Sequence, residues 1–255
     1  MATTDDGALA VELAAAAGEL LLELRGTALS GRELGAHGDQ RANELLIAGL
    51  AERRPGDAVL SEESADTTAR LSADRVWIID PLDGTREYGE GDRSDWAVHV
   101  ALWERGELAA GAVAVPAQEI VHDTDAPQQV PPRADGPLRI AVSRSRPPAL
   151  VEYLATELDA ELVPMGSAGV KATAVLRGEV DAYVHAGGQY EWDSAAPVAV
   201  AEAAGLFCSR IDGSPLRYNQ PSPKLPDLLV CRPEFSAKLL AAIASQPDVA
   251  EVRVS

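Results

Sequence analysis

Apolar positions recur at helical spacing from Asp5 to Leu24, with Asp5 and Asp6 placed to cap the start, and this spacing predicts an amphipathic helix. A second helix is predicted over Asp39 to Arg54, where Pro55-Gly56 stops it. Ala58 to Ser61 and Arg75 to Asp80 are short continuous apolar runs, the signature of buried strands. Trp96 to Trp103 and Leu108 to Val115 read as strands joined by a Glu104-Arg105-Gly106-Glu107 turn, and Ile120 to His122 adds another. The first half, residues 1–125, is therefore expected to pack helices on an antiparallel sheet.

Residues 126–137, with four prolines and a glycine, read as a linker. The rhythm then changes. Strands are predicted at Leu138 to Ser143, Glu161 to Met165 and Val180 to His185. They alternate with helices at Pro147 to Glu157, Ser167 to Leu176 and Asp193 to Ala204, and Pro233 to Ser245 closes the chain as a helix. Alternating strands and helices indicate an α/β half over residues 138–255.

Composition narrows the function classes. The 255 residues carry 22 basic and 40 acidic side chains, a net charge of −18. Such a field repels nucleic acid polymers and anionic membrane surfaces, so neither is an expected partner. A small anionic substrate stays open, because bound cations invert the local field. The two cysteines, Cys208 and Cys231, exclude a disulfide scaffold or a cysteine zinc cluster. Residues 1–10 hold two Asp and no Lys or Arg, unlike a signal peptide, and no run approaches the ~18 apolar residues of a membrane span. A cytoplasmic protein is expected.

The chemistry is concentrated in three segments. Asp80-Pro81-Leu82-Asp83-Gly84-Thr85 follows the apolar strand Val76 to Ile79. Two carboxylates flanking the Leu82 carbonyl make a hard oxygen site suited to Mg²⁺. Gly84 and Thr85 add backbone N–H groups and a hydroxyl where a phosphate can sit. Ser61-Glu62-Glu63 also ends a strand, and adjacent strand ends would bring Glu63 to the metal. Trp192-Asp193-Ser194-Ala195-Ala196-Pro197 opens a helix of small residues, where Asp193 can cap, bind a cation, or do both.

Together these segments resemble the inositol monophosphatase superfamily of metal-dependent, lithium-sensitive phosphatases, over nearly the whole chain. The resemblance implies a layered αβαβα sandwich of the inositol monophosphatase and fructose-1,6-bisphosphatase type. It implies Glu63, Asp80 and the Leu82 carbonyl on a first Mg²⁺, and Asp80, Asp83 and Asp193 on a second. Asp83, Gly84, Thr85 and Asp193 then meet the substrate, and Asp39 with Thr85 orients the attacking water. A third, weaker metal site and Li⁺ inhibition occur in such enzymes. The D-x-x-x-V-T segment that shapes the third site is not recognisable in Gly31 to Gly38.

The second half is most similar to the branch that acts on 3′-phosphoadenosine 5′-phosphate. Val142-Ser143-Arg144-Ser145-Arg146-Pro147 is similar to that branch's V-S-R-S-H, and Gly166-Ser167-Ala168-Gly169-Val170-Lys171 has a lysine where inositol-type members tend to be neutral. Arg146, Ser167, Lys171 and His185 are thereby candidate substrate contacts, although Arg146 replaces a usual histidine and His185 a usual arginine. The resemblance leaves room for a homodimer. Rival readings are an inositol phosphate or sugar phosphatase of the same superfamily, a dehalogenase-type phosphatase with an aspartyl nucleophile, and an acidic metal-binding module without activity. The dehalogenase spacing D-x-D is not met, since Asp80 and Asp83 are three apart.

Overall fold

A computed structural model describes residues 4–145 and 147–246. Helices α1 (Thr4–Arg25) and α2 (Gly31–Arg53) precede strands β1 (Ala58–Ser61) and β2 (Arg75–Asp83), the short helix α3 (Thr85–Gly89), and strands β3 (Ala97–Glu104), β4 (Glu107–Val115) and β5 (Ile120–Asp123). After the proline-rich crossing come β6 (Arg139–Ser143), α4 (Ala149–Leu158), β7 (Glu161–Met165), α5 (Ala168–Leu176) and β8 (Ala182–Tyr190). The chain continues through α6 (Glu191–Ala203), β9 (Phe207–Ser209), β10 (Lys224–Cys231) and α7 (Pro233–Ser245).

The strands form two five-stranded sheets, ordered β1-β2-β3-β4-β5 and β7-β6-β8-β10-β9. Alternation along β2 assigns its two faces. Trp77 and Ile79 point to α1 and α2, in one cluster with Leu9, Leu13, Leu21, Leu46 and Leu50. Val76 and Ile78 point the other way, to α5 and α6, in a cluster with Val170, Val175, Ala195 and Val198 that reaches Tyr183 and Val230 of the second sheet. The far face of that sheet packs Ile140, Val184 and Leu229 on Leu154, Leu239 and Ile243 of α4 and α7. The layers are thus αβαβα, held by side chains that each contribute about 1.5–3 kcal/mol on full burial.

Several expectations change in detail. In the first sheet β1 runs parallel to β2 and only the remaining pairs are antiparallel. Helix α2 starts at Gly31, not Asp39, so the Gly31–Gly38 segment is two helical turns. Gly35 and Gly38 obscure this because glycine is a poor helix former. Both are there for close approach: a Cβ would come within 2.8 Å of Thr85 Cγ2 at Gly35 and within 2.8 Å of Tyr88 Cε1 at Gly38. Strands β9 and β10 add to those the sequence predicts. Pro226 argues against a strand with partners on both sides, and β10 accommodates it at a register shift between Leu225 and Asp227. Strand β8 continues past His185 through Gly187-Gly188 to Tyr190.

Candidate active site

Residues three apart on a regular strand face opposite sides of the sheet. Asp80 and Asp83 do not, because the ladder slips between them. Asp80 pairs with His99 and Asp83 with Ala97, so β2 spends three steps where β3 spends two. Pro81, which has no N–H to give the ladder, lies in this bulge. Asp80 Oδ1 accepts the Leu82 N–H at 3.0 Å and fixes the turn. Gly84 follows at φ +88, a left-handed conformation natural to glycine, and starts α3.

Asp193 arrives from the other half, in the first turn of α6, where its Oδ2 accepts the Tyr190 N–H at 2.6 Å. One carboxylate oxygen from each of Asp80, Asp83 and Asp193 lies within 4.8 Å of the others. The cluster is strained electrostatically. Burial, then Asp83, Glu62, Asp193 and Asp39, hold the Asp80 carboxyl well above the usual range. Burial and Asp83 push Asp193 up to about 6. Asp80 Oδ2 is buried and has no hydrogen-bond partner among the described residues. Hard oxygens crowded this closely fit a divalent cation, which would neutralise the repulsion.

Asp83 behaves differently. Burial would raise its carboxyl, but His99, Lys171 and Ser167 outweigh burial and hold it below the usual range. Its Oδ2 accepts from the Ser167 hydroxyl and from the Gly169 N–H at 2.7 Å, and lies 3.3 Å from His99 Nε2. His99 is fully buried, with its Nδ1 3.0 Å from the Trp192 carbonyl oxygen. That oxygen only accepts, so Nδ1 carries the proton. His99 therefore ties β3 to the start of α6 and sets its Nε2 beside Asp83. Nothing in the sequence singles it out, since it sits in an ordinary strand.

Thr85 and Asp39 meet at the start of α3. Thr85 Oγ1 lies 3.1 Å from Asp39 Oδ2 and 3.1 Å from the Leu82 carbonyl oxygen. Burial and Glu63 push Asp39 up to about 7, against the lowering effect of Thr85. Together with Glu63 these residues line a cleft of about 630 Å³. Glu62 and Glu63 are both exposed as residues. Desolvation, then Asp39, Asp193, Asp83 and Glu63, nevertheless push the Glu62 carboxyl up to about 8.

The remaining candidates are spread around this centre. Ser167, at φ +52, is engaged twice, donating to Asp83 and accepting the Val170 N–H at 3.0 Å. Lys171 is buried, with its ammonium donating to the carbonyls of Ser167 and Gly166 and lying 5.3 Å from the centre of the Tyr183 ring. Desolvation lowers its pKa, and Asp83 and Glu87 oppose that. His185 is half-buried with Nε2 2.9 Å from the Gly188 carbonyl, and burial lowers its pKa. Its neighbours are Gly188 and the Tyr183 ring, 6.4 Å away between centroids, rather than the acid cluster. Arg146 lies outside the described residues.

This site is set between the two sheets of an αβαβα sandwich, and comparison with known proteins gives its class. Residues 5–247 match the model of the inositol monophosphatase family. The chain belongs to that family. A 3′-phosphoadenosine 5′-phosphate phosphatase of Mycobacterium bovis is 55% identical over 242 residues, 89% of each chain. The 3′(2′),5′-bisphosphate nucleotidase CysQ of Escherichia coli is 31% identical over 192 residues, 71% of this chain and 77% of that one. The crystal structure of CysQ from Bacteroides thetaiotaomicron, a bacterial member of the family, superposes with a TM-score of 0.77 at 25% identity, covering 89% of this chain and 97% of that one. No helix among the described residues is long and apolar enough to cross a membrane.

Proposed function

We propose that the chain is a Mg²⁺-dependent phosphomonoesterase that removes the 3′-phosphate of 3′-phosphoadenosine 5′-phosphate, giving AMP, or of its sulfated form, in sulfur assimilation. The observation that carries this is the convergence of Asp80, Asp83 and Asp193 within 4.8 Å in a chain 55% identical to a phosphatase named for that substrate.

Asp80, Asp83, Asp193 and the Leu82 carbonyl would hold the cations. Glu62 is the better fourth carboxylate than Glu63. Asp39, Asp193 and Asp83 all repel its carboxylate, and it repels that of Asp80, whereas Glu63 acts on Asp39 and Glu62. Bound Mg²⁺ supplies charge neutralisation at the phosphoryl oxygens and a more acidic water. The protein's own groups do the positioning. Thr85 directs its proton to Asp39 Oδ2, leaving Oγ1 lone pairs to accept from a water and aim it at phosphorus. The N–H groups that open α3 after Gly84 face the phosphate. Lys171 has three N–H bonds and, among the described residues, donates two to carbonyls, so the third would serve the second phosphate.

Phosphate release from adenosine 3′,5′-bisphosphate, inositol 1-phosphate and fructose 1,6-bisphosphate, with and without Mg²⁺, tests this reading. The expected order places the adenosine bisphosphate first and abolishes turnover without the cation. A preference for inositol 1-phosphate overturns the substrate assignment.

A further inference from the structure

Arg144 directly follows β6 and has no part in the mechanism above. Its side chain nevertheless crosses from the second half of the chain to the first. Nη2 donates to Glu87 Oε1 at 2.9 Å and to Glu90 Oε1 and Oε2 at 3.0 and 3.1 Å. Glu87 lies on α3, and Glu90 caps the end of that helix. Arg144 therefore grips the element that Thr85 opens. In the mechanism above, α3 carries both the water-aiming hydroxyl and the phosphate-facing N–H groups.

The grip is built from both sides. Glu87 is 7% exposed, a carboxylate that needs a partner because water is largely excluded from it. Its stem packs against Gly166, where a Cβ would come within 2.4 Å of Glu87 Cγ and 2.6 Å of Cδ. The Gly166 N–H donates to Asp95 Oδ2 at 2.6 Å, which ties that glycine to the first half. The Arg144 N–H donates to the Met165 carbonyl at 3.2 Å, one residue before Gly166, which fixes where the guanidinium starts. Toward the first half, Tyr88 is fully buried, its hydroxyl donates to the Leu21 carbonyl at 2.8 Å, and its ring stands edge-on to Trp96. A helix of five residues has too few internal bonds to hold its own orientation. Its direction is set by Tyr88 on the first half and by Glu87 and Glu90 on Arg144.

We infer that Arg144 is a positioning residue of the phosphatase: its pairing with Glu87 and Glu90 sets the tilt of α3, and with it the aim of Thr85 and of the N–H groups that open the helix. The inference rests on the role given above to α3 and not on which phosphate ester is cleaved. All three bonds leave one nitrogen, Nη2, so a point cation of similar reach can supply them. Without a cation Glu87 would be a buried, unpaired carboxylate. Its route back to water is a movement of α3. A displacement of about 1 Å at a reacting group costs on the order of a hundredfold in rate.

Arg144→Met should lower kcat for both adenosine 3′,5′-bisphosphate and inositol 1-phosphate by about ten- to a hundredfold, with each KM within about threefold of the wild type. Arg144→Lys should bring kcat back to within about fivefold of the wild type. Glu87→Gln added to Arg144→Met should recover part of the lost rate, because it removes the unpaired charge. Amide exchange read by mass spectrometry in chelator, with no substrate present, should rise at residues 85–90 in Arg144→Met and stay unchanged at residues 76–79 of β2. A kcat for Arg144→Met within about twofold of the wild type overturns the inference. So does a rise in KM for adenosine bisphosphate alone, which would make Arg144 a substrate contact. So does a loss that lysine does not restore and that tracks a fall in urea stability, which would make Arg144 a brace for the fold. A wild type that prefers inositol 1-phosphate overturns the nucleotide reading and supports nothing against Arg144, since kcat on either ester reads the aim of α3.

Discussion

Thr85 Oγ1 stands 3.1 Å from Asp39 Oδ2, a bond between the start of α3 and the third turn of α2 across 46 residues of chain. The hydroxyl has one proton and two acceptors in reach, Asp39 and the Leu82 carbonyl. Engagement of that carbonyl elsewhere leaves Asp39 as its acceptor. The pair is thus a contact between the two helices and, in the mechanism proposed above, the means of aiming a water.

Asp39→Asn should therefore lower kcat by at least about a hundredfold, the low end for loss of acid–base assistance. The same change should stabilise the cation-free protein at pH 8. The folded pKa of Asp39, about 7, lies above its unfolded value, so this charge destabilises the fold progressively as pH rises from about 4 through 7. Steady-state kinetics and thermal melts at pH 8 in chelator check both parts. A variant that loses activity and stability together would mean that Asp39 serves the fold.

Glu62→Gln and Glu63→Gln separate the two acids of the Ser61-Glu62-Glu63 turn. Glu62→Gln should weaken Mg²⁺ activation and raise the cation concentration for half-maximal rate by tenfold or more. Glu63→Gln should act mainly on the pH profile, by relieving the repulsion that raises Asp39. Mg²⁺ titrations of the two variants decide between them, and a reversed pattern would restore Glu63 as the ligand.

Gly169→Ala probes the support of Asp83. An added Cβ would lie 2.1 Å from His99 Nε2, and His99 is fully buried, with no room to retreat. Overpacking of this kind costs about 1–3 kcal/mol. It should also displace His99 from Asp83 and weaken the metal site. Urea unfolding and Mg²⁺ activation should fall together, whereas Gly56→Ala, where a Cβ meets nothing, leaves both unchanged.

Lys171→Met should reduce kcat/KM for adenosine 3′,5′-bisphosphate by about ten- to a hundredfold, since one charge-assisted hydrogen bond is worth roughly 1.5–3 kcal/mol. Inositol 1-phosphate, which has no second phosphate, should be affected less. Equal losses would make the ammonium a brace for the Gly166 and Ser167 carbonyls and a countercharge to Asp83.

His122 supplies a pH dependence away from the site. It is buried on β5 with Nε2 3.4 Å from Arg177 Nη1. Burial, and then Arg177, hold its pKa at about 4. The unfolded chain, near 6.5, binds the proton more tightly, so stability falls as pH drops from about 6.5 to 4. At pH 5 the loss is about 2 kcal/mol. Urea unfolding at pH 7.5 and pH 5 should show this difference shrinking in His122→Asn. An undiminished difference would assign the acid sensitivity to other groups.

Periodicity carried most of the fold. The alternation of β2 and the i, i+4 spacing of Ala42, Leu46 and Leu50 on the buried face of α2 follow from which side chains must leave water. Local signals failed where glycine or proline served a distant contact. Gly35 and Gly38 hid the start of α2 because their reason is Thr85 and Tyr88, and Pro226 hid β10 because a bulge shelters it.

The acids of the site were legible for a similar reason. Asp80, Asp83 and Thr85 belong to one short segment whose chemistry is local, and Asp193 to another. That His99 lies beside Asp83, and that Ser167 and Lys171 are already engaged, depend on packing between the two sheets. A sequence determines which groups are available and how each strand alternates. The direction of a carboxyl on a turn, and the partners that hold it, are settled only when α5 and α6 are pressed between the sheets and every buried polar group must find a neighbour.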